Sequence, residues 1–352
     1  MKIWQVACGE PNRDYQDVFL RHDVMLIGPG DLGPFEEKLY RKSRRVSSSH
    51  FQQIKSLKEK PAPGDVVLLR IGHEVIRVGI IPDGSGNGYD WSEAFSDVLG
   101  WDLQHYRRVI WGGPRSAAIL KGRRPLFSNY KQQATFTAVH EERITRLADE
   151  LARKVPKRRL RKLPENDGIL SLENFGVQLF RAGLSNESVE RAIDAIEKAR
   201  RLDSWYDDRE ISGRVPSEHE IIAHMTVPLM LALGWSEQLL AVEWGHVDLA
   251  FFEKTPTEER HCIMICEAKR PRKPLESALD QAKDYVRNKG LHRCRKILLA
   301  SGTRLLTYKR RGRDWTLDGY ANLKKLRTNH VIPRRASAVD TLMSLVPARS
   351  IR

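Results

Sequence analysis

A glutamate and a lysine stand two positions apart at the end of an apolar run, in the stretch HCIMICEAK from His261 to Lys269. Burying a charge is costly unless a partner compensates it, so Glu267 and Lys269 either lie at an exposed strand end or bind another group. Because the side chains of a strand alternate between its two faces, the spacing places Glu267 and Lys269 on the same face. We therefore expect the carboxylate and the ammonium group to point the same way.

A second carboxylate, that of Asp248, lies in the preceding apolar segment GHVDLAFF. We predict that this segment is the neighbouring antiparallel strand, so that two carboxylates converge at one edge of a sheet. Two carboxylates suit Mg²⁺ (or Mn²⁺), a hard cation that takes oxygen ligands. Asp248 and Glu267 would bind the metal, with the backbone carbonyl of Ala268 as a further oxygen. Lys269 would orient the attacking water and stabilise charge on a phosphate, which predicts hydrolysis of a phosphodiester.

The segments around these residues predict alternating helices and strands, that is, an α/β arrangement. Hydrophobic periodicity predicts a helix for EHEIIAHMTVPLMLALGW and two consecutive strands for EQLLAVEWGHVDLAFFE. It predicts a third strand for RHCIMICEAK, a helix for PLESALDQAKDYVRN, and a closing strand and turn for RKILLASGTRLLTYKR. The candidate residues therefore lie at strand ends and on the adjoining helices.

This arrangement resembles the PD-(D/E)XK nuclease superfamily over about residues 214 to 312. Glu267 and Lys269 correspond to its E-x-K, and Asp248 corresponds to its preceding Asp. The strand ILLASGTRLLTY resembles the T-N-G-x-x-W strand of nuclease domains in type I restriction motor subunits, with Ser301 and Gly302 where Asn and Gly are usual. The resemblance implies a restriction-endonuclease-like α/β/α domain at residues 214–352, with a basic C-terminal extension and metal-dependent endonuclease activity.

Three further residues take expected roles from the same resemblance. Gln281 and Tyr285, at i and i+4 of the predicted helix, resemble the Q-x3-Y element of those nuclease domains. Gln281 is expected in the catalytic site, and Tyr285 is expected to contact the nucleic-acid backbone. Glu220, on the preceding helix, stands where related restriction subunits carry an additional acidic residue and is a further catalytic candidate.

Residues 1–138 are rich in short β-branched runs bounded by Gly, Pro and Asp, which predicts a small curled β-barrel. The stretches that carry a family resemblance are IWQVACGEPNRDYQDVFLRHDVMLIGPGDLG, KPAPGDVVLLRIG, EVIRVGIIPDG and YDWSEAFSDVLGWDLQHYRRVIW. They resemble the EVE-like members of the PUA superfamily. The resemblance implies a PUA-like barrel that takes a flipped, chemically modified base into an aromatic-lined pocket.

A base pocket of this kind needs flat aromatic walls and a few groups that hydrogen-bond the edge of the base. Trp4, Trp91 and Trp101 are the candidates for the walls. Asp31 and Asp102 could accept from N–H groups of the base. The alternative for each aromatic residue is a place in the core of the barrel.

Residues 139–213 change to a helical period, in VHEERITRLADELARKV and in NESVERAIDAIEKARRL, whose first residue is the expected N-cap. We predict a helical connector between the two outer domains. The three regions together make an α/β multidomain protein.

The chain carries 60 Lys and Arg residues against 45 Asp and Glu residues, a net charge of +15 with a pI near 9.7. A polyanion is therefore the leading candidate partner. Residues 121–163 carry +9 and residues 291–352 carry +12. These blocks favour a phosphate track over the alternative of a solvated basic surface. Arg107 and Arg108 are expected to face phosphate as well.

Nucleic acid fits this charge better than a membrane does. No apolar run approaches the roughly 20 residues that span a bilayer. The N-terminus MKIWQVACGE lacks the apolar region of a signal peptide, so we expect a cytoplasmic protein. The four cysteines are too sparse for a disulfide scaffold, and we interpret them as reduced and mostly buried.

A base reader joined to a nuclease suggests a modification-dependent restriction or anti-phage defence endonuclease that acts on DNA, including modified phage DNA. The barrel would locate the base, the helices would set a distance, and the C-terminal domain would cut. Two alternatives stay open: a non-catalytic nucleic-acid sensor of a defence system, and an RNA-processing nuclease, since PUA-like barrels also serve on RNA. A homodimer or partner defence proteins are compatible with either.

Overall fold

The structure is a computed structural model that describes residues 1–10, 13–84, 88–120, 134–165, 168–208, 212–271, 275–332 and 337–350. The chain forms two compact units, Met1–Asn166 and Asp167–Arg352. In the described part of the chain, no helix combines the length and the apolar character needed to cross a bilayer.

The predicted connector at residues 139–213 does not form a separate region, because its helices join two different cores. Ile144 and Leu151 pack in a hydrophobic cluster of the first unit. Phe175 and Ile196 pack in the main hydrophobic cluster of the second unit. The structure therefore places the boundary between the units inside the predicted connector.

The first unit is mixed α/β, and its strands follow the β-branched runs of the sequence. These strands are β1 (Ile3–Ala7), β2 (Gly9–Glu10), β3 (Arg13–Asp14), β4 (Val24–Ile27), β5 (Val66–Ile71), β6 (Glu74–Ile80), β7 (Tyr89–Trp91), β8 (His105–Arg108), β9 (Ile110–Trp111) and β10 (Phe136–Ala138). The helices are α1 (Gln16–His22), α2 (Glu37–Lys42), α3 (Ser48–Glu59), α4 (Glu142–Thr145) and α5 (Ala148–Arg153).

The strands of the first unit form a five-stranded sheet in the order β10-β1-β5-β6-β9, a three-stranded sheet in the order β4-β8-β7, and the small β2-β3 pair. The stretch from β8 to β9 belongs to both larger sheets, because β8 pairs with β4 and β7 whereas β9 pairs with β6. Val109, at the change of sheet, is fully buried. Among the described residues these sheets stay open, and no closed barrel forms.

The second unit is an α/β layer structure. Its strands are β11 (Leu240–Trp244), β12 (Val247–Phe252), β13 (Cys262–Ala268), β14 (Lys296–Ser301), β15 (Arg304–Arg311) and β16 (Asp314–Asn322). Its helices are α6 (Leu172–Arg181), α7 (Asn186–Asp207), α8 (Glu218–Ile221), α9 (Val227–Ala232), α10 (Leu279–Asn288), α11 (Ala338–Ser344) and α12 (Pro347–Ser350). A π-helical segment joins α8 to α9 and accommodates Pro228, which has no N–H to donate.

The six strands form one sheet in the order β11-β12-β13-β14-β15-β16. Only β13 and β14 pair in parallel in this described sheet, and α10 lies between them in sequence. Alternate residues of β13 serve opposite faces: Met264 and Cys266 join the core that includes α6, α7 and α9. Glu267 points to the other face, where Gln281 of α10 reaches it.

Candidate functional site

The Asp248 and Glu267 carboxylates lie opposite each other on neighbouring strands. β12 and β13 are antiparallel with Leu249 opposite Cys266, so extending this register by one residue brings Asp248 beside Glu267, and the charge of Asp248 acts on the Glu267 carboxyl. Like charges in this arrangement repel unless something lies between them or near them. The Asp248 Oδ2 atom accepts a hydrogen bond of 2.7 Å from the Ala268 N–H, which fixes the carboxylate at the end of β13.

Glu267 is a nearly buried acid, with 2% of its surface exposed. Burial, with the negative charge of Asp248 as the second cause, raises the pKa of Glu267 to about 8. Its Oε1 atom accepts a hydrogen bond of 2.9 Å from Gln281 Nε2 and lies 3.6 Å from Lys269 Nζ. Its Oε2 atom is buried and accepts from no donor among the described residues, whereas the protonated carboxyl is close enough to share a hydrogen bond with Asp248. A buried oxygen without a partner is costly, so Glu267 has one ligand position to spare.

A divalent cation fits these residues. The described residues contain no group of three or more His, Cys, Asp or Glu side chains able to hold a metal. Mg²⁺ does not require such a group, because it commonly binds one or two carboxylates and keeps water or phosphate oxygens as its other ligands. The Glu267 Oε2 atom and the adjacent Asp248 carboxylate meet that requirement, and a cation there would relieve both the repulsion and the missing partner.

Lys269 is a cationic side chain beside this pair, and contacts fix both its backbone and its Nζ atom. Its backbone N–H donates 2.8 Å to the Ala300 carbonyl of the parallel strand β14. Its Nζ atom lies 3.6 Å from Glu267 Oε1 and 4.0 Å from Glu218 Oε2, and only 15% of the side chain is exposed. As the strand period predicts, the lysine and Glu267 lie on the same side.

Gln281 and Tyr285 lie one turn apart on α10 and contact each other. Gln281 Nε2 donates to Glu267 Oε1 and also lies 3.0 Å from the Tyr285 hydroxyl, which accepts. The spacing of four residues places both side chains on one helix face. Gln281 therefore belongs to the carboxylate cluster, and Tyr285 is connected to it through Gln281.

Glu220 does not belong to the cluster, because its carboxylate is held elsewhere. It forms a bidentate ion pair with Arg214 and accepts from Tyr206, and it makes a capping box with Ser217 at the start of α8. These bonds hold the pKa of Glu220 well below its ordinary value, with the Arg214 hydrogen bonds as the main cause. The sequence pattern Ser-x-x-Glu is the signature of such a capping box, so the sequence alone could have predicted this role for Glu220.

Glu218, two residues earlier, is the acid of this helix that does approach the cluster. Its Oε2 atom lies 4.0 Å from Lys269 Nζ. Sequence reasoning missed it because Glu218 and Glu220 share one short acidic stretch. Once the capping box assigns Glu220 to Ser217, Glu218 is left as the available carboxylate.

In the first unit, Trp4 is a core residue and not a pocket wall. It is 3% exposed, stacks on Phe136 with ring centroids 5.3 Å apart, and donates from Nε1 to Asp65 at 2.9 Å. The strand β1 lies inside the five-stranded sheet, which covers both of its edges with β5 and β10. The expectation of base stacking on Trp4 is therefore replaced by a structural role.

Trp91 and Trp101 are more exposed than Trp4. Trp91 is half-buried and donates from Nε1 to the Gly30 carbonyl at 2.9 Å, which orients its ring against the Gly28–Gly30 turn. Trp101 is 39% exposed. The carbonyl of the next residue, Asp102, accepts from the Gly30 N–H at 3.2 Å, so the chain beside Trp101 is bonded to the residue that also binds Trp91.

The two acids expected at the base edge differ in position. Asp31 is exposed and lies 3.5 Å from Arg45 Nη1, a surface ion pair. Asp102 is half-buried, with its backbone bonded to Gly30. Two residues further along the chain lies a residue that the sequence did not suggest: Gln104 is 1% exposed, and its Oε1 atom finds no partner in the described ranges.

Beneath the same turn, His105 forms a buried network with two tyrosines. Its Nε2 atom lies 2.9 Å from the Tyr40 hydroxyl, and its Nδ1 atom lies 2.8 Å from the Tyr89 hydroxyl. Burial lowers the pKa of His105 to about 4, so the ring is neutral at physiological pH. The network joins β8 to Tyr89 of β7, the strand that carries Trp91, and to Pro29 of the turn.

Arg107 and Arg108 do not face solvent, contrary to expectation. Arg107 donates to the backbone carbonyls of Leu57 and Lys58 at 2.6 and 2.7 Å, and Arg108 donates to that of Arg161. Both are less than a tenth exposed. They bond helix α3 and the segment after α5 to β8.

The predicted basic blocks are only partly described. Residues 121–133 of the first block, and residues 333–336 and 351–352 of the second, lie outside the described residues. In the described part of the second block, Lys309, Arg311 and Arg313 are exposed around the turn between β15 and β16. All four cysteines are free and buried, as expected.

No protein-family model matches the chain, and no curated protein is significantly similar to it.

Proposed function

We propose that this protein is a metal-dependent endonuclease that hydrolyses phosphodiester bonds in DNA. The observation that carries the proposal is the cluster of Asp248, Glu267, Lys269 and Gln281, in which a buried carboxylate oxygen has no partner among the described residues. Two facing carboxylates with a lysine are poorly explained as a device for stability, because burying them costs free energy. Perturbed acids of this kind concentrate at functional sites.

In the proposed mechanism, Asp248 and Glu267 would hold Mg²⁺ or Mn²⁺ through their carboxylates, and the Ala268 carbonyl would be a further oxygen ligand. The ion supplies Lewis acidity and lowers the pKa of bound water. Lys269 stabilises the negative charge that develops on the phosphate. Gln281 keeps Glu267 Oε1 oriented so that Oε2 is free to bind.

The first unit would supply selectivity for a base. Trp91 and the backbone of Asp102 both bond to Gly30, and in the chain Trp101 precedes Asp102 and Gln104 follows two residues later. These residues would supply the ring surfaces and hydrogen-bonding groups that a flipped base requires. A PUA-like reader joined to a restriction-endonuclease-like domain would make a modification-dependent restriction or anti-phage defence enzyme. Its substrate would then be DNA that carries a modified base.

A cleavage assay tests the proposal. Purified protein is mixed with matched duplexes that contain plain or hydroxymethylated cytosine, with Mg²⁺, with Mn²⁺ or with EDTA. Cleavage is expected with either metal and not with EDTA. Asp248→Ala, Glu267→Gln and Lys269→Ala should each reduce the rate about 100-fold or more while DNA binding stays.

The matched control is Asp284→Asn, which removes an exposed α10 carboxylate paired with Arg287 and should leave the rate unchanged. Full activity of the Asp248 or Glu267 variant would rule out the assigned site. Tight DNA binding without cleavage under any metal would assign the chain to sensing instead. Preferential cleavage of structured RNA would correct the substrate class.

A further inference from the structure

Helices α6 and α7 enclose a groove that the proposed nuclease function does not use. Its cavity has a volume of about 540 Å³. Leu172, Gly176, Val177 and Phe180 line it from α6, and Val189 and Ile193 line it from α7. A Cβ atom on Gly176 would lie 3.3 Å from Val189 Cγ1, so the absence of a side chain there lets the two helices approach closely.

The apolar lining of this groove is open to solvent. Phe180 is 57% exposed and Val177 is 44% exposed, although both belong to a helix whose opposite face is buried in the core. Their exposed side chains lie one turn apart on α6. A continuous apolar patch with a polar rim marks an interaction site more often than a plain surface.

The rim of the groove is acidic, in contrast to the rest of the chain. Glu173, Glu190 and Asp194 contribute three carboxylates to the lining, against the single guanidinium of Arg181. The chain as a whole carries a net charge of +15. DNA would be repelled from this rim, and a cationic partner would be attracted to it.

We propose that the α6–α7 groove binds an amphipathic helix with a basic polar face, from a protein partner. Such a helix places apolar side chains at i, i+3 or i+4, and i+7 into a groove between helices, and its Lys and Arg residues meet carboxylates on the rim. A small-molecule site would need buried polar groups that converge on the ligand. The polar residues of this lining, Glu173, Arg181, Asn186, Glu190 and Asp194, are all exposed at the rim.

The test uses the full chain and a fluorescein-labelled peptide of about 18 residues, or five helical turns. The peptide has Leu on one face and Lys on the other, and a second peptide replaces every Lys by Glu. Fluorescence anisotropy should show that the Lys peptide binds at least ten times more tightly, although the net charge of the protein opposes it. Phe180→Asp should weaken this binding at least tenfold.

Two further variants separate the groove from general effects. Val242→Asp, which alters an equally exposed valine of the edge strand β11, should leave binding unchanged. Glu190→Lys with Asp194→Lys should reverse the preference between the two peptides. Circular dichroism checks that each variant is folded, and Val177→Ser replaces Phe180→Asp if that protein unfolds.

The proposal is overturned if both peptides bind equally, or if Phe180→Asp and Val177→Ser bind as the parent does. It is also overturned if the parent self-associates in sedimentation experiments and Phe180→Asp abolishes that association, since the occupant would then be a second copy. Cleavage activity does not enter the readout. A failed nuclease assay therefore leaves this result unaffected.

Discussion

In the absence of a cation, the burial of Glu267 favours its protonated form, whereas its contacts are those of an ionised carboxylate. Its carboxyl group is nearly buried beside Asp248, which favours the protonated form. Its oxygens nevertheless accept from Gln281 and face Lys269, as an ionised carboxylate would. A bound divalent cation satisfies both, because it stabilises the ionised form and supplies the partner that Oε2 lacks.

The pH dependence of stability should report this residue in protein freed of metal by EDTA. Glu267 has a pKa of about 8 in the folded protein against an ordinary value of 4.5. Between these values the folded state keeps a proton that the unfolded state releases, so the free energy of unfolding falls as pH rises through this window. Each pKa unit corresponds to about 1.4 kcal/mol. Urea unfolding of the parent and of Glu267→Gln should show a steeper loss for the parent.

Glu220→Gln is the control for this experiment. The Arg214 ion pair lowers the pKa of Glu220, so the stabilisation it gives is present above the ordinary pKa and is lost only as the solution becomes acidic. From about pH 5 to pH 8 the parent and Glu220→Gln should therefore differ by a constant amount. Parallel curves for the parent and Glu267→Gln would contradict the assignment of a raised pKa to Glu267.

At the level of elements, Asp23 ties the segment after α5 to the end of α1. Its buried carboxylate accepts from both Nη atoms of Arg158, at 2.5 and 2.6 Å, and from the Arg161 N–H at 2.9 Å. Asp23 has a left-handed backbone with φ of 52°, which Asn also tolerates. Asp23→Asn should therefore remove the charge without straining the turn.

We expect Asp23→Asn to lower the free energy of unfolding of the first unit by about 3 kcal/mol, because it leaves a partly buried guanidinium without its partner. Chemical denaturation followed by tryptophan fluorescence measures the change. Asp17→Asn breaks the more exposed ion pair with Arg21 and should cost less than about 1 kcal/mol. Equal effects of the two changes would show that the Arg158 contact contributes little.

Elements with strong short-range signals could be predicted from the sequence. The β11–β12 hairpin turns at Gly245 and His246, both with positive φ, and the alternating runs on either side specify its register. Helix α3 was not predicted, although Ser47 caps it and Phe51, Ile54 and Leu57 are buried on one side. The sequence pattern of α3 is hard to recognise, because predicted strands flank it on both sides and its residues are as polar on average as those of a loop.

The candidate site could be predicted only where strand periodicity decides the geometry. The strand period predicts that Glu267 and Lys269 share a face, and antiparallel pairing brings Asp248 to the same strand end. In the structure Lys269 lies within ion-pair distance of Glu267, and Asp248 accepts from the N–H of Ala268 between them. The Arg107 and Arg108 prediction failed because the carbonyls they bind come from distant segments. Neighbouring residues of a strand also point to opposite faces, so both could not have faced one phosphate track.

At the scale of the whole molecule, the proposed function assigns base selectivity to the first unit and cleavage to the second. If Trp91 and Trp101 stack a flipped base, replacing either by Ala removes about 1 to 3 kcal/mol of stacking. Preference for modified over plain DNA should shrink about tenfold, while the cleavage rate of bound DNA stays near that of the parent. Competition binding and single-turnover cleavage measure the two quantities separately.

Trp91→Phe is the matched control, because it keeps a ring and loses only the Nε1 hydrogen bond to Gly30. It should retain more of the preference than Trp91→Ala does. Unchanged preference in both Ala variants would place the reader outside these tryptophans.

The basic charge of the molecule should appear as salt dependence. For duplex DNA, log K falls by about 0.9 per neutralised phosphate for each decade of salt. Replacing Lys309, Arg311 and Arg313 by Ala should make the slope less steep by about 0.9 for each phosphate that these side chains neutralise. Arg191→Ala, which removes a cation already paired with Glu187, is expected to leave the slope unchanged. A slope unaffected by the triple change would exclude the β15–β16 turn from the DNA-binding surface.

The hydrogen bond from the Ala268 N–H to Asp248 provides a spectroscopic probe of the site. The resonance frequency of an amide proton depends on the charge of the group that accepts it. In a ¹⁵N–¹H correlation spectrum, the Ala268 peak should therefore move when Asp248 binds a cation or gains a proton, while amides in the middle of β13 stay in place. One backbone atom thus makes occupancy of the site visible without any substrate, and in variants that are catalytically dead.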